Sequence, residues 1–240
     1  NVGGGDSKDV SQGESKAEVT TRHELPTKLQ NYVVTLPTPH KLAFLKDFLA
    51  SPEVRQGKTI VFFLTCACVD LFYALLRELL PGQQSAQPKK RKRQQAKKSL
   101  KGGRIEKLHG QMDQTARTKA YEQFCKAPPS EGSVLLCTDL AARGIDVEAI
   151  SWVVQFDAPL DPSAFVHRIG RAARAGQSGK SLLMLMTHED GYLPFLRQRG
   201  IPLEDLPASA APSAWRESGS DAKAISMPSD ASMEAAIRPA

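Results

Sequence analysis

Thr59-Ile60-Val61-Phe62-Phe63-Leu64 is an uncharged run, β-branched or aromatic at most positions, with neither proline nor glycine in it. A run of that length and composition suits a strand covered on both faces, the habit of parallel sheets. Thr65 follows, a residue type whose hydroxyl can cap a helix, and Val69, Phe72, Tyr73, Leu76 and Leu79 then recur at helical spacing. A buried strand turning through a hydroxyl residue into a one-faced helix is a βα unit.

The same alternation extends outward from this unit. Upstream, Leu29 to Leu36 is rich in strand formers and ends before Pro37, and His40 to Ala50 carries Leu42, Leu45, Phe48 and Leu49 at helical spacing. Downstream, strands are expected at Arg104–Leu108, Ser133–Cys137, Ile150–Phe156 and Ser181–Met186. Helices are expected at Gln114–Phe124 and from Ser163 to about Arg171. Thr187 is expected to cap a last helix, delayed by Pro194 and ended by Gly200. Repeated βα units imply an α/β fold with one mainly parallel sheet and helices on both faces.

Charge divides the chain unevenly. Of 32 Lys and Arg, nine lie between Gly82 and Arg104, where no acid occurs; the remaining 23 face 26 Asp and Glu, a balance of −3. With no apolar period to pack, segment 82–104 reads as a solvated insertion. Its basic run, Lys89 to Arg93, suits a solubilising loop, nuclear import or sequence-blind phosphate contact. Residues 1–24 lack any period or apolar leader and are expected to be a flexible lead-in, which makes intracellular residence the default. Beyond Pro207, 21 of the last 34 residues are Ala, Ser or Pro, so 207–240 reads as a mostly disordered tail in which Trp215 is the one candidate for docking. No uncharged stretch approaches the roughly 20 apolar residues of a membrane span. Cys66, Cys68, Cys125 and Cys137 lack CxxC or Cys/His spacing, so reduced thiols, mostly in the core, are expected, with no metal site.

In open α/β sheets, ligands gather at the carboxyl ends of strands, where helix N-termini present amides to anions. Three expected strands end in Thr65, in His109-Gly110 and in Thr138-Asp139, hydroxyl or glycine positions that let a phosphate come close. Gln114 and Arg117 follow one of these ends, and Arg143-Gly144-Ile145-Asp146 another. His167, Arg168, Arg171 and Arg174 cluster at an expected helix end with no acid between Asp161 and Glu189, a pattern suited to a polyanion. Gly57-Lys58-Thr59 and Gly179-Lys180-Ser181 imitate a Walker A ending. The earlier glycine, however, is Pro52 in one and Arg174 in the other, and each leads into a strand. No glycine-rich turn follows a first strand, which excludes a dinucleotide-binding dehydrogenase.

Taken in order, Ile60 to Phe63, His109-Gly110 with Gln114 and Arg117, Thr138-Asp139 through Asp146, and His167 through Arg174 resemble motifs IV, QxxR, V and VI of DEAD-box RNA helicases. The resemblance covers about residues 25–206 and implies a second, C-terminal RecA-like lobe. Walker A and the DEAD box belong to a first lobe, which would also hold Mg2+. It further implies that Arg171 and Arg174 act as arginine fingers on ATP and that His167 couples the nucleotide site to the first lobe. Gly144 and Asp146 would contact nucleotide, and Thr65, Gly110, Gln114, Arg117 and Thr138 the RNA backbone. Ala172 stands where the family usually has Thr. The Thr65-Cys66-Ala67-Cys68-Val69 segment and the lead-in Ser163 to His167 are similar to the nucleolar subgroup acting in large-ribosomal-subunit assembly, which implies precursor ribosomal RNA as partner and a nucleolar location. An isolated lobe is expected to be monomeric and inactive. The competing class is an adaptor that uses the basic segment and tail without an ATP cycle.

Overall fold

The computed structural model describes residues 29–80, 104–142, 147, 149–172 and 178–215. The expected lead-in and most of the basic insertion lie outside them, as do Gly144, Asp146 and Arg174. Seven strands form one sheet: β1 (Leu29–Leu36), β2 (Lys58–Phe62), β3 (Arg104–Leu108), β4 (Ser133–Cys137), β5 (Ile150–Gln155), β6 (Gly179–Met186) and β7 (Glu204–Asp205). Their spatial order is β3-β4-β2-β5-β6-β1-β7, and every pairing is parallel. The short edge strand β7 has no hydrophobic signature and was not foreseen.

Alternation along each strand sorts side chains to two faces. Val61, Val134, Leu136, Trp152, Val154, Leu182 and Met184 share one core with α1 (Lys41–Ala50) and α2 (Cys66–Leu79). Ile60, Phe62, Leu135, Cys137 and Val153 point the other way, toward α3 (Gln114–Lys126) and the short α4 (Asp139–Ala142). Val33, Leu183 and Leu185 on that second face meet α5 (Pro162–Ile169) and α6 (Tyr192–Gln198). The α/β fold with both faces covered is therefore as expected, and the doubly buried β2 is an interior strand between β4 and β5.

Three local expectations change, and the delay expected of the last helix is found. Helix α5 stops at Ile169, where the i→i−4 pattern gives way to tighter i→i−3 bonds, Arg171 N–H to Arg168 O and Ala172 N–H to Ile169 O; Arg171 thus lies beyond the helix. Thr187 opens a 3-10 turn rather than capping a long helix, and Glu189 accepts from the Met186 N–H at 2.7 Å. Helix α6 begins only at Tyr192, so Pro194 falls in its first turn, where a missing N–H is tolerated. The stretch 207–215, which composition placed in the tail, packs on α1: Trp215 is fully buried, edge-on to Phe44 with centroids 5.0 Å apart, and its Nε1 donates to Asp47 at 2.9 Å. Residues 216–240 lie outside the described residues.

Candidate nucleotide and nucleic-acid interface

Register decides which strand exits meet. Leu108 pairs with Cys137, Cys137 with Phe62 and Phe62 with Gln155, so β3, β4, β2 and β5 end level with one another. The ladder continues just past these ends, with Thr138 N–H donating to Leu108 O, Phe63 N–H to Cys137 O, and Phe156 N–H to Phe62 O. The Leu64 N–H donates to the Asp157 carboxylate at 3.1 Å. The exits that carry Gly110, Thr138, Thr65 and Asp157 are thereby neighbours along one rim.

Thr65 caps α2, its hydroxyl accepting from the Cys68 N–H at 3.1 Å. Gly110 follows β3. A Cβ there would meet nothing nearer than Leu140 Cδ2 at 3.9 Å, so space beside the backbone is open to a ligand. Asp113 caps α3 through the Ala116 N–H, setting Gln114 and Arg117 in its first turn, where Arg117 Nη1 approaches Gln114 Oε1 at 3.5 Å. The Arg117 Nε is buried without a hydrogen-bond partner. Thr138 is largely buried between the β3 and β4 exits, and its carbonyl accepts from Ala142. The exit of β3 thus brings Gly110, Gln114 and Arg117 into one stretch, next to Thr138.

His167 and Arg171 line a recess of about 270 Å3 together with Phe62, Asp139, Ala142, Ala164 and Arg168. His167 is exposed and Arg171 half-buried, its Nε donating to the His167 carbonyl at 3.2 Å. The expectation of an uncompensated arginine cluster fails at Arg168. That side chain is buried, with Nε and Nη2 donating to the two oxygens of Asp139 at 2.6 and 2.7 Å, and Nη1 to the Asp157 carbonyl at 2.7 Å. Gln155 Oε1 lies 3.3 Å from Nη1, and the Phe62 ring centroid 5.1 Å from the guanidinium carbon. Sequence reasoning missed the partner because it sought acids nearby along the chain, whereas Asp139 arrives from the exit of β4. Among the described residues Asp139 is the one carboxylate lining the recess, and Arg168 neutralises it, so Arg171 and His167 set the polarity there, which fits the phosphates of a nucleotide.

Asp70 on α2, which sequence reasoning did not single out, bonds to His109 at the β3 exit at 3.0 Å, and Lys107 also reaches Asp70. The Lys107 hydrogen bond holds the Asp70 carboxyl below its ordinary range against a smaller opposing effect of burial, with His109 contributing in the same direction as Lys107. Burial pushes the Cys137 thiol up. Cys66, Cys68 and Cys125 are only half-buried, fewer in the core than expected.

Residues 40–176 match the helicase conserved C-terminal domain. A probable ATP-dependent RNA helicase, ddx55 of Dictyostelium discoideum, is 36% identical over 80% of this chain and 26% of its own length. DEAD-box ATP-dependent RNA helicase 18 of Arabidopsis thaliana is 37% identical over 83% of this chain and 30% of its own. The chain therefore spans roughly a quarter to a third of these relatives. Among solved structures, the E. coli DEAD-box protein SrmB, bound to regulator of ribonuclease activity A, superimposes with a TM-score of 0.58 at 26% identity, covering 81% of this chain and 99% of that one. Matched motifs, a wholly parallel sheet and a basic recess beside its strand exits converge: the chain belongs to the helicase conserved C-terminal domain family and is the second, RecA-like lobe of the DEAD-box kind.

Proposed function

We propose that this lobe completes an ATP-dependent RNA helicase by gripping phosphates on two parts of one rim. Arg171 and Arg174 stabilise charge developing on the γ-phosphate, His167 links the nucleotide site to the first lobe, and Gly144 and Asp146 contact the nucleotide. Thr65, Gly110, Gln114, Arg117 and Thr138 hold the RNA backbone, which carries little sequence information. Bound ATP supplies the phosphoryl group whose hydrolysis drives the cycle, and the first lobe supplies the Mg2+ ligands. The partner RNA is precursor ribosomal RNA, and the site of action is the nucleolus. The similarity of Thr65 to Val69 to the large-subunit assembly subgroup supports that narrower assignment.

The observation that carries the reading is the level ending of β3, β4, β2 and β5, which sets the Gly110–Thr138–Thr65 row beside the His167–Arg171 recess. The test is RNA-stimulated ATP hydrolysis by the protein joined to its first lobe. Arg171→Ala should lower turnover on the order of 10³-fold. Turnover within tenfold of wild type would remove Arg171 from catalysis.

A further inference from the structure

The row read as the RNA site draws on two separately built pieces, the start of α2 at Thr65 and the β3 exit at Gly110. One of the side-chain bonds between them is made by a residue adjoining Gly110. Asp70 lies one turn and a half into α2, past the Thr65 cap, and His109 immediately precedes Gly110. The His109 ring is 4% exposed and its Nε2 sits 3.0 Å from Asp70 Oδ1, whereas its Nδ1 is buried without a partner. A carboxylate only accepts, and Asp70 is kept ionised by Lys107, so Nε2 carries the hydrogen and donates. Among the described residues Asp70 is thus the one polar anchor of this ring, while Leu108 O, one residue earlier, accepts from the Thr138 N–H.

We propose that Asp70 and His109 are positioning residues for RNA: their bond fixes the β3 exit against α2, so that Gly110 and the α3 start keep register with Thr65 and Thr138. The inference rests on the reading of that row as an RNA-backbone site. Among the described residues the buried ring has one anchor, so loss of the carboxylate loosens the loop that carries Gly110 against α2, leaving the backbone bonds at Leu108 O and His109 O. Neither residue reaches the recess of His167 and Arg171, so the expected defect is confined to RNA.

The test uses the protein joined to its first lobe and a labelled oligouridine strand. His109→Leu keeps volume without a donor, His109→Gln keeps a donor, and Asp70→Ala removes the acceptor at a side chain 44% exposed, where the core is not cut. His109→Leu and Asp70→Ala should weaken RNA binding and raise the KM for RNA about tenfold, with the KM for ATP within twofold of wild type. His109→Gln should recover most of the affinity. Arg117→Ala, on α3 and outside the Asp70–His109 bond, reports on the underlying site. If Arg117→Ala weakens RNA while Asp70→Ala and His109→Leu do not, the positioning role is wrong and the RNA site stands. If His109→Gln is as defective as His109→Leu, packing rather than the bond to Asp70 matters, and the positioning role is again wrong. If Arg117→Ala binds RNA as wild type does, the RNA-site reading fails and takes this inference with it.

Discussion

Arg168 and Asp139, 29 residues apart in the chain, form a two-bonded pair that joins the end of α5 to the exit of β4. Because Arg168 also donates to the Asp157 carbonyl and stands over Phe62, one guanidinium ties together the exits of β4, β5 and β2. It lies between His167, which is exposed at the recess, and Ile169, which is buried in the core. The pair therefore holds in one place the residues proposed to act on ATP and the Thr138 exit proposed to hold RNA.

Removing one partner of a buried pair leaves the other charge desolvated, at about 3–5 kcal/mol. Asp139 is 39% exposed, so solvent screens part of that loss and the lower end is expected. Arg168→Ala should cost about 3 kcal/mol in urea unfolding of the lobe. Asp139→Asn should cost less, since the guanidinium keeps Asp157 O and Gln155. Equal stability of Arg168→Ala and wild type would show that the network contributes nothing.

Trp215 predicts that the domain ends later than its composition suggests. Its indole is fully buried against Phe44 and bonded to Asp47, which also pairs with Lys46 at 3.1 Å. Trp215→Ala should destabilise by about 3 kcal/mol, and Trp215→Phe, which loses chiefly the Nε1 bond, by about 1 kcal/mol. Calorimetry of chains ending after Leu206 and after Trp215 checks the same point, with the longer chain melting higher. Coincident melting would mean that the segment adds no stability to α1.

Much of this was legible beforehand, for identifiable reasons. Runs such as Thr59–Leu64 and Ser133–Cys137 declare buried strands by themselves, because burial on both faces selects apolar residues, with Thr59 and Ser133 at the strand starts the buried exceptions. The exits Thr65 and Thr138 follow directly from those runs, whereas Gly110 follows the more polar, half-exposed β3. Arg168 was open to discovery, since it shares the buried face of α5 with Phe165 and Ile169 at i+3 and i+4 spacing. Its partner Asp139 was not, because no local pattern says that the exit of β4 comes beside α5. The slot for Trp215, built by Phe44 and Asp47 on α1, is equally non-local.

Asp70 gives a pH signature. Lys107 and His109 hold its carboxyl below the ordinary value of 3.8, so the folded state favours the ionised form. That stability is fully present above the unfolded value and is lost as pH falls through the lower folded value. Asp70→Asn lacks it at every pH. Urea midpoints of wild type and Asp70→Asn should therefore differ at pH 6 and converge between about pH 4 and pH 2. A constant gap across that window would mean that Asp70 is not stabilised as a carboxylate.

Thr65 separates folding from binding in one position. Its hydroxyl caps α2 while the side chain stays exposed at the rim, so the cap and the proposed phosphate contact use the same residue. Asp is as good a cap as Thr, and its charge also favours the helix N-terminus, but a carboxylate repels phosphate. Thr65→Asp should thus leave thermal stability within about 0.5 kcal/mol of wild type, whereas Thr65→Ala costs about 1 kcal/mol. In RNA binding the order reverses: Thr65→Asp should be the weaker binder, with its deficit shrinking as salt screens the repulsion. Should Thr65→Asp bind RNA as tightly as Thr65→Ala at low salt, no phosphate passes Thr65, and its role ends with the cap.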